Sequence, residues 1–226
     1  MSKDRLNFDY RPAFVNGLEG SHDSEVRLYV GLDASSSMGW LDKYAQVAKQ
    51  YPKVLQTLRE TFPAACVETW LFNANVFCFA PLSPVAHAKS PMTHDYGRFL
   101  QGGSAITDCL VEMLERANQV QSERGPAPTR LIVWTDGWNR LSRYSPEEAR
   151  SILEHFPEIE VHLIGLIHDD VREHFTSFVG ALGLAAEAVF VFEHTADLDD
   201  TQACLNRSAQ QLLRSMTIVD ESSMLP

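Results

Sequence analysis

Three short segments of this chain carry oxygen-bearing side chains at spacings that suit a hard cation. Asp33-Ala34-Ser35-Ser36-Ser37-Met38 directly follows the apolar run EVRLYVGL (residues 25–32). Gly102-Gly103-Ser104-Ala105-Ile106-Thr107-Asp108 stands where helical spacing begins, and Thr135-Asp136-Gly137 follows the apolar run RLIVW (residues 130–134). Asp33, Ser35 and Ser37 alternate along one loop, so their side chains can face a single point. Ser104 adds another hydroxyl and Asp136 a second carboxylate. Mg²⁺ takes about six oxygens in a near-octahedral shell and gives up its waters reluctantly. Mg²⁺ is therefore the expected ion, with Mn²⁺ or Ca²⁺ as substitutes. Hydroxyls are neutral ligands, so two carboxylates at most leave the ion under-compensated. An Asp or Glu from outside can then take an open coordination place, which describes a docking site better than a closed structural cage.

Such a site needs elements that bring distant segments together, and the apolar patterning supplies them. EVRLYVGL, ACVETWLF (65–72), VFCFA (76–80), RLIVWT (130–135), EVHLIGLI (160–167) and AVFVF (188–192) read as strands. Between them, helical spacing runs over residues 41–61, 107–121, 145–156, 169–182 and 197–213. Pro52 interrupts the first of these and predicts a kink or a division there. Ser145, Pro146 and Glu148 form a helix-start signature with a capping box. Only Asn73-Ala74-Asn75 separates the second and third strands, so that pair is expected to be an antiparallel hairpin. Residues 81–103, with several prolines and glycines, read as one long loop. Apolar strands alternating with helices imply an α/β, doubly wound, mostly parallel six-stranded sheet with one antiparallel edge strand and helices on both faces. Ligands of such sheets bind beyond the carboxyl ends of strands, where the strand order reverses. Asp33 and Asp136 both lie just past such an end, so they converge if their strands are neighbours.

These residues resemble the von Willebrand factor A (vWA) family and its metal-ion-dependent adhesion site (MIDAS), of the bacterial intracellular type. The family pattern is D-x-S-x-S, a Thr in a second loop, and an Asp after the next core strand. Asp33, Ser35 and Ser37 match the first part, and Asp136 in Thr135-Asp136-Gly137 matches the last. The segment GGSAITDCL (102–110) resembles the GGTALYDAL-like stretch of bacterial members and aligns Ser104 with the family's Thr, with Thr107 as the alternative ligand. The resemblance covers about Val26 to Leu213, including the hairpin and the last strand–helix pair. It implies a Rossmann-like vWA fold and a metal-dependent module that binds an acidic residue of a partner protein. Family members of this type work beside AAA+ ATPases of the MoxR kind or with kinases and phosphatases of stress-response systems. The expected organisation is an irregular lead-in at residues 1–24, the vWA domain at 25–215 and a tail at 216–226.

Composition narrows the alternatives. The 226 residues are 45% hydrophobic and 22% charged, which is ordinary for one globular α/β domain. The net charge is −11 and no basic patch is visible, which argues against nucleic acid as a partner. No apolar run reaches the length of a membrane span, and no signal peptide is visible at the start, so a cytoplasmic, membrane-free protein is expected. Cys66, Cys78, Cys109 and Cys204 show no paired spacing and read as core thiols in a reducing compartment. There is no phosphate-binding G-x-x-x-x-G-K-[ST] loop. A Mg²⁺-dependent phosphohydrolase with Asp33 as nucleophile would need an acid where Ser35 stands, and no basic residue lies in the three loops until Arg140. An enzyme is therefore not expected, and a metal-independent scaffold of the same fold is the nearer rival. Trp40 and Trp138 follow the two metal loops, either as exposed anchors for a partner or as packing beneath the loops. His87, His94 and Asp95 read as solvated loop polars, and His168-Asp169-Asp170 as a helix start.

Overall fold

Two apolar strands lie at the centre because every residue in each is buried. They are β1 (Arg27–Asp33) and, at its side, a strand covering Thr129–Thr135. The computed structural model describes residues 25–193. The expected lead-in, the helix over 197–213, the tail and Cys204 lie outside the described residues. In chain order the remaining strands are β2 (Cys66–Phe72), β3 (Val76–Pro84), β4 (the Thr129–Thr135 strand), β5 (Ile159–Ile167) and β6 (Val189–Glu193). They pair in the order β3-β2-β1-β4-β5-β6. Five of them run parallel, and β3 pairs antiparallel with β2 through the tight Asn73-Ala74-Asn75 turn, as the short gap requires. The β2–β3 register shifts between Val67 and Thr69 and again between Thr69 and Trp70.

Helices cover both faces of this sheet. On one face, α1 (Lys43–Thr61) sets Val47, Tyr51, Val54, Leu55 and Leu58 against Leu28, Val30 and Leu32 of β1. Pro52 does not divide α1. Its ring sits on the solvent side, and the helix continues for two more turns. An interior proline costs roughly 3 kcal/mol. Burying each large apolar side chain of the adjoining stripe returns about 1.5–3 kcal/mol, so tertiary packing overrides the local penalty.

On the other face, α3 (Ile106–Arg124), α4 (Pro146–Leu153) and α5 (Asp169–Leu182) pack Leu110, Met113, Leu114, Ala149, Phe175 and Phe178 against Tyr29, Leu131, Val133 and Leu163. The Ser145 hydroxyl accepts from the Glu148 backbone while the Glu148 carboxylate accepts from the Ser145 N–H, which completes the capping box. None of the described helices is long and apolar enough to cross a membrane.

Residues 81–103 are more ordered than one long loop. β3 continues to Pro84, a single 3-10 turn covers Val85–His87, and the short helix α2 spans Thr93–Arg98. Buried Val85 and Tyr96 anchor this stretch. Arg59 of α1 ties it down by donating to the carbonyls of Val85 and Ala88 at 2.9 and 3.2 Å. Elements of three to six residues hold too few apolar positions to show a period.

Candidate metal centre

Chain order reverses between β1 and β4: β2 and β3 build outward on one side, β5 and β6 on the other. The crevice at that point is where ligands of open α/β sheets bind. Asp33 is the last residue of β1, and Asp136 follows the end of β4. The strands are direct neighbours, with Leu32 opposite Trp134. The two carboxylates therefore meet, as the three-part pattern demands.

Hydrogen bonds hold the segments together. One oxygen of Asp33, Oδ1, accepts from the Ser35 backbone N–H at 2.8 Å. The other, Oδ2, accepts from Ser104 Oγ at 2.8 Å and from Thr135 Oγ1 at 2.6 Å. Ser35 Oγ lies 3.1 Å from Ser37 Oγ. Asp33, Ser35, Ser104 and Asp136 are buried, while Ser37 is partly exposed and marks the open side. Backbone bonds lock the loops in place: Ser36 N–H to the Gly102 carbonyl at 3.1 Å, Gln101 N–H to Ala34 at 3.2 Å, and Arg140 N–H to Ser104 at 2.6 Å. The loop after Ser35 forms short 3-10 turns within Ser36–Asp42, interrupted by a kink at Trp40 and Leu41.

All five sequence-predicted ligands are thus in one place. Thr107, the alternative, is committed elsewhere, since its hydroxyl donates to the Tyr144 carbonyl at 2.6 Å. Asp108 sits in the first turn of α3 and accepts from the backbone N–H groups of Arg143 and Tyr144, with the Arg143 guanidinium 3.0 Å away. Ser36 is exposed in its turn. Among the rim residues, Trp40 is half exposed with its ring 5.2 Å from His168. Trp138 is partly buried, its ring tilted against His174 with centroids 4.8 Å apart and the Arg140 guanidinium carbon 4.1 Å from its centroid. The first therefore fits an exposed anchor and the second fits packing beneath the loops. His94 and Asp95 form a surface pair at 2.9 Å, and His87 is exposed in its turn. His168 occupies the N-cap position of α5 but makes no side-chain cap, pairing instead with Asp170 at 2.7 Å.

Three residues of the centre are missed by the sequence pattern. Thr135 was visible only as the first letter of T-D-G, yet it contacts Asp33 directly and also accepts from the Gly137 N–H at 3.1 Å. The Tyr96 hydroxyl, buried, donates to the Asp33 carbonyl. Lys43, the first residue of α1, is buried with its Nζ 2.9 Å from Asp136 Oδ2. Nothing in residue type announces the last two, because both lie on helices whose polar positions ordinarily face water.

The centre's electrostatics favour a cation. Burial, and then the neighbouring Asp136 carboxylate, push the Asp33 carboxyl up to about 6 against the hydrogen bonds from Ser35 and Thr135 that pull it down. Burial and the same two carboxylates raise the Tyr96 hydroxyl well above its ordinary value, so it stays a donor. Asp136 Oδ1 is buried with no hydrogen-bond partner among the described residues. A buried carboxylate oxygen left unpaired costs several kcal/mol unless a cation or donor reaches it, roughly the penalty for burying a polar group bare. Among the described residues no group of three or more His, Cys, Asp or Glu side chains gathers, so the candidate ligands of this centre are oxygens. Two carboxylates with three serine hydroxyls fit a small, hard divalent ion.

No family model matches the chain, and no curated protein matches it by sequence. Solved structures share its fold. A mutant of the PilB minor pilin from Streptococcus sanguinis superimposes with a TM-score of 0.59 at 13% identity, over 88% of this chain and 63% of that one. The pilus adhesin SpaC from Lactobacillus rhamnosus GG matches with a TM-score of 0.63 at 13% identity, over 84% of this chain and 31% of the adhesin. Proximal thread matrix protein 1 from the mussel byssus, in a structure with zinc in its MIDAS motif, matches with a TM-score of 0.56 at 18% identity, over 83% of this chain and 46% of that protein. This chain therefore spans less than two thirds of each of these proteins. The likeness is one of fold: a mixed α/β sheet on which a metal-bearing MIDAS occurs in at least one neighbour.

Proposed function

We propose that this chain is a vWA-type binding module whose MIDAS holds Mg²⁺ and through it an acidic side chain of a partner protein. The observation that carries this reading is the meeting of Asp33, Ser35, Ser37, Ser104 and Asp136 at the switch point, with the buried Asp136 Oδ1 unpartnered. Asp33 and Asp136 would supply the charge, and Ser35, Ser37 and Ser104 the neutral oxygens. The ion, when bound, supplies Lewis acidity for an incoming carboxylate. The chain's own residues hold the ligands in place: Thr135 and Ser104 orient the Asp33 carboxylate, and Tyr96 fixes the backbone beneath it. The half-exposed Trp40 beside the opening offers an apolar anchor to the same partner. Lys43, the cation in this centre, is paired with Asp136 and not open to a phosphate, which supports binding without catalysis. The free thiols Cys66, Cys78 and Cys109 agree with a reducing, cytoplasmic setting. Partners of the AAA+ MoxR kind, or stress-response kinases and phosphatases, remain the class that the family resemblance suggests.

A second reading has its own support. The Lys43–Asp136 ion pair places a cation in the centre without any metal, as a metal-independent scaffold would require. Calorimetric titration with Mg²⁺ and Mn²⁺ separates the two. Saturable binding that disappears in Asp33→Ala, and capture of a partner that EDTA reverses, are expected. Partner capture that persists unchanged in EDTA and in Asp33→Ala would establish the scaffold instead.

A further inference from the structure

Lys43 is hard to explain as an ordinary helix residue. It occupies the first position of α1, and no acidic residue accompanies it in the first turn. A cation there faces the positive end of the helix dipole. The chain reaches this position through two successive residues in the left-handed region, Leu41 (φ 57°) and Asp42 (φ 52°), neither of them glycine. That conformation is costly for a leucine and is kept only where surrounding contacts demand it. Its effect is to aim a fully buried ammonium at Asp136, 2.9 Å from Oδ2, with the other carboxylate oxygen left unpartnered. On the outward side Nζ lies 5.4 Å from the ring centroid of Trp40, which is half exposed.

We propose that Lys43 is a tethered cation that competes with the divalent ion for Asp136 and so sets the affinity and selectivity of the site. The inference rests on the metal-site reading above. With Lys43 in place, two carboxylates and one ammonium give the centre one formal negative charge, against two once the ammonium withdraws. An incoming divalent ion meets a like charge in a low-dielectric pocket, where repulsion over a few ångströms is far stronger than in water. Ion entry therefore requires the Lys43 side chain to rotate outward, and the Trp40 ring gives its charged head a favourable stop at the surface. In the ion's absence the same ammonium neutralises Asp136, so the fold does not depend on metal. A pocket of this kind rejects weakly held ions and admits one only when concentration, or a partner's carboxylate, makes up the difference.

The test uses the full chain with Mn²⁺ alone as probe, in wild type, Lys43→Met and Lys43→Gln, by calorimetry and by thermal unfolding in EDTA and in saturating Mn²⁺. Lys43→Gln keeps an N–H donor for Asp136 and serves if the methionine variant folds poorly. Both variants are expected to bind Mn²⁺ about tenfold or more tightly than wild type, since a full unit of opposing charge is removed. They should melt below wild type in EDTA and recover in Mn²⁺, while Lys43→Arg behaves as wild type. Equal Mn²⁺ affinity in wild type and both variants, abolished by Asp33→Ala, would overturn the competition and leave the metal site standing. A loss of stability in the variants that Mn²⁺ does not restore, with no gain in affinity, would make Lys43 a structural pin and overturn it too. Absence of Mn²⁺ binding in every form overturns both the competition and the metal site.

Discussion

Asp33 is held from both sides: Ser35, Ser104 and Thr135 donate to its carboxylate, and Tyr96 donates to its carbonyl. The Tyr96 bond fixes the residue's backbone while the other three fix its side chain. Removing the hydroxyl in Tyr96→Phe leaves a buried carbonyl without that donor. The expected cost is about 1–2 kcal/mol, a few degrees in Tm for a chain of this size. Differential scanning calorimetry checks it, and an unchanged Tm would mean that the Asp33 carbonyl finds another donor. At this scale the sequence was legible where oxygen ligands follow a strict spacing. Asp33, Ser35 and Ser37 announce themselves by alternation, and Ser104 and Asp136 by their position beside a helix start and a strand end. Lys43 and Tyr96 carry no such mark. The burial of Lys43 depends on the left-handed turn at Leu41 and Asp42, which no residue type in that stretch advertises. Tyr96 depends on α2, an element too short to be read from periodicity.

At the scale of elements, Gly137 turns the chain directly after β4 and Asp136. Its φ is +96°, and a Cβ built on it would stand 2.6 Å from Ile167 Cδ1 and 3.2 Å from Phe175 Cδ2. The methyl of Gly137→Ala meets both an unfavourable backbone region and the packed side chains of Ile167 at the end of β5 and Phe175 within α5. The Ile167 tip can yield, but the backbone strain remains. A loss of about 2–4 kcal/mol follows from overpacking added to left-handed strain. Because Asp136 is the adjacent residue, Mn²⁺ affinity should fall as well. Denaturant unfolding and metal titration of the variant measure the two effects, and full retention of both would refute this role for the glycine. The longer elements were legible because their apolar faces are long. The helix expected over 169–182 matches α5 (Asp169–Leu182), and the hairpin followed from a three-residue gap. The division of the helix at Pro52, one of the two expected outcomes, does not occur, because the packed stripe on either side outweighs local propensity. The length of β3 was underestimated because Pro81 and Pro84 read as loop residues, although an edge strand tolerates proline.

At the scale of the whole molecule, two cores flank the sheet, and the thiols report on them separately. Cys109 is fully buried beneath β1, with its sulfur 2.8 Å from where a side chain on Gly31 would begin. Cys78 on β3 is exposed, and Cys66 at the start of β2 is half buried. Burial raises all three described thiols, and Cys109 most of all, so thiolate content and exposure both place Cys109 last, while exposure alone ranks Cys78 ahead of Cys66. A maleimide should label Cys78 first, Cys66 more slowly and Cys109 only when the chain unfolds, as read by peptide mass spectrometry. Fast labelling of Cys109 in the native protein would mean that α3 does not seal this side of the sheet. The overall architecture was legible from alternating apolar runs, because a strand buried on both faces leaves little room for polar residues. The strand order was not legible, since it depends on which neighbours pair across the chain reversal and on no local signal.

The outermost strand on the β2 side, β3, has a further consequence. Pro81 and Pro84 give it two positions with no backbone donor, and its pairing with β2 slips twice along its length. Another copy seeking to extend the ladder there would meet an uneven row of bonding groups and an irregular twist. Ladder extension by another copy is therefore disfavoured along the β3 edge.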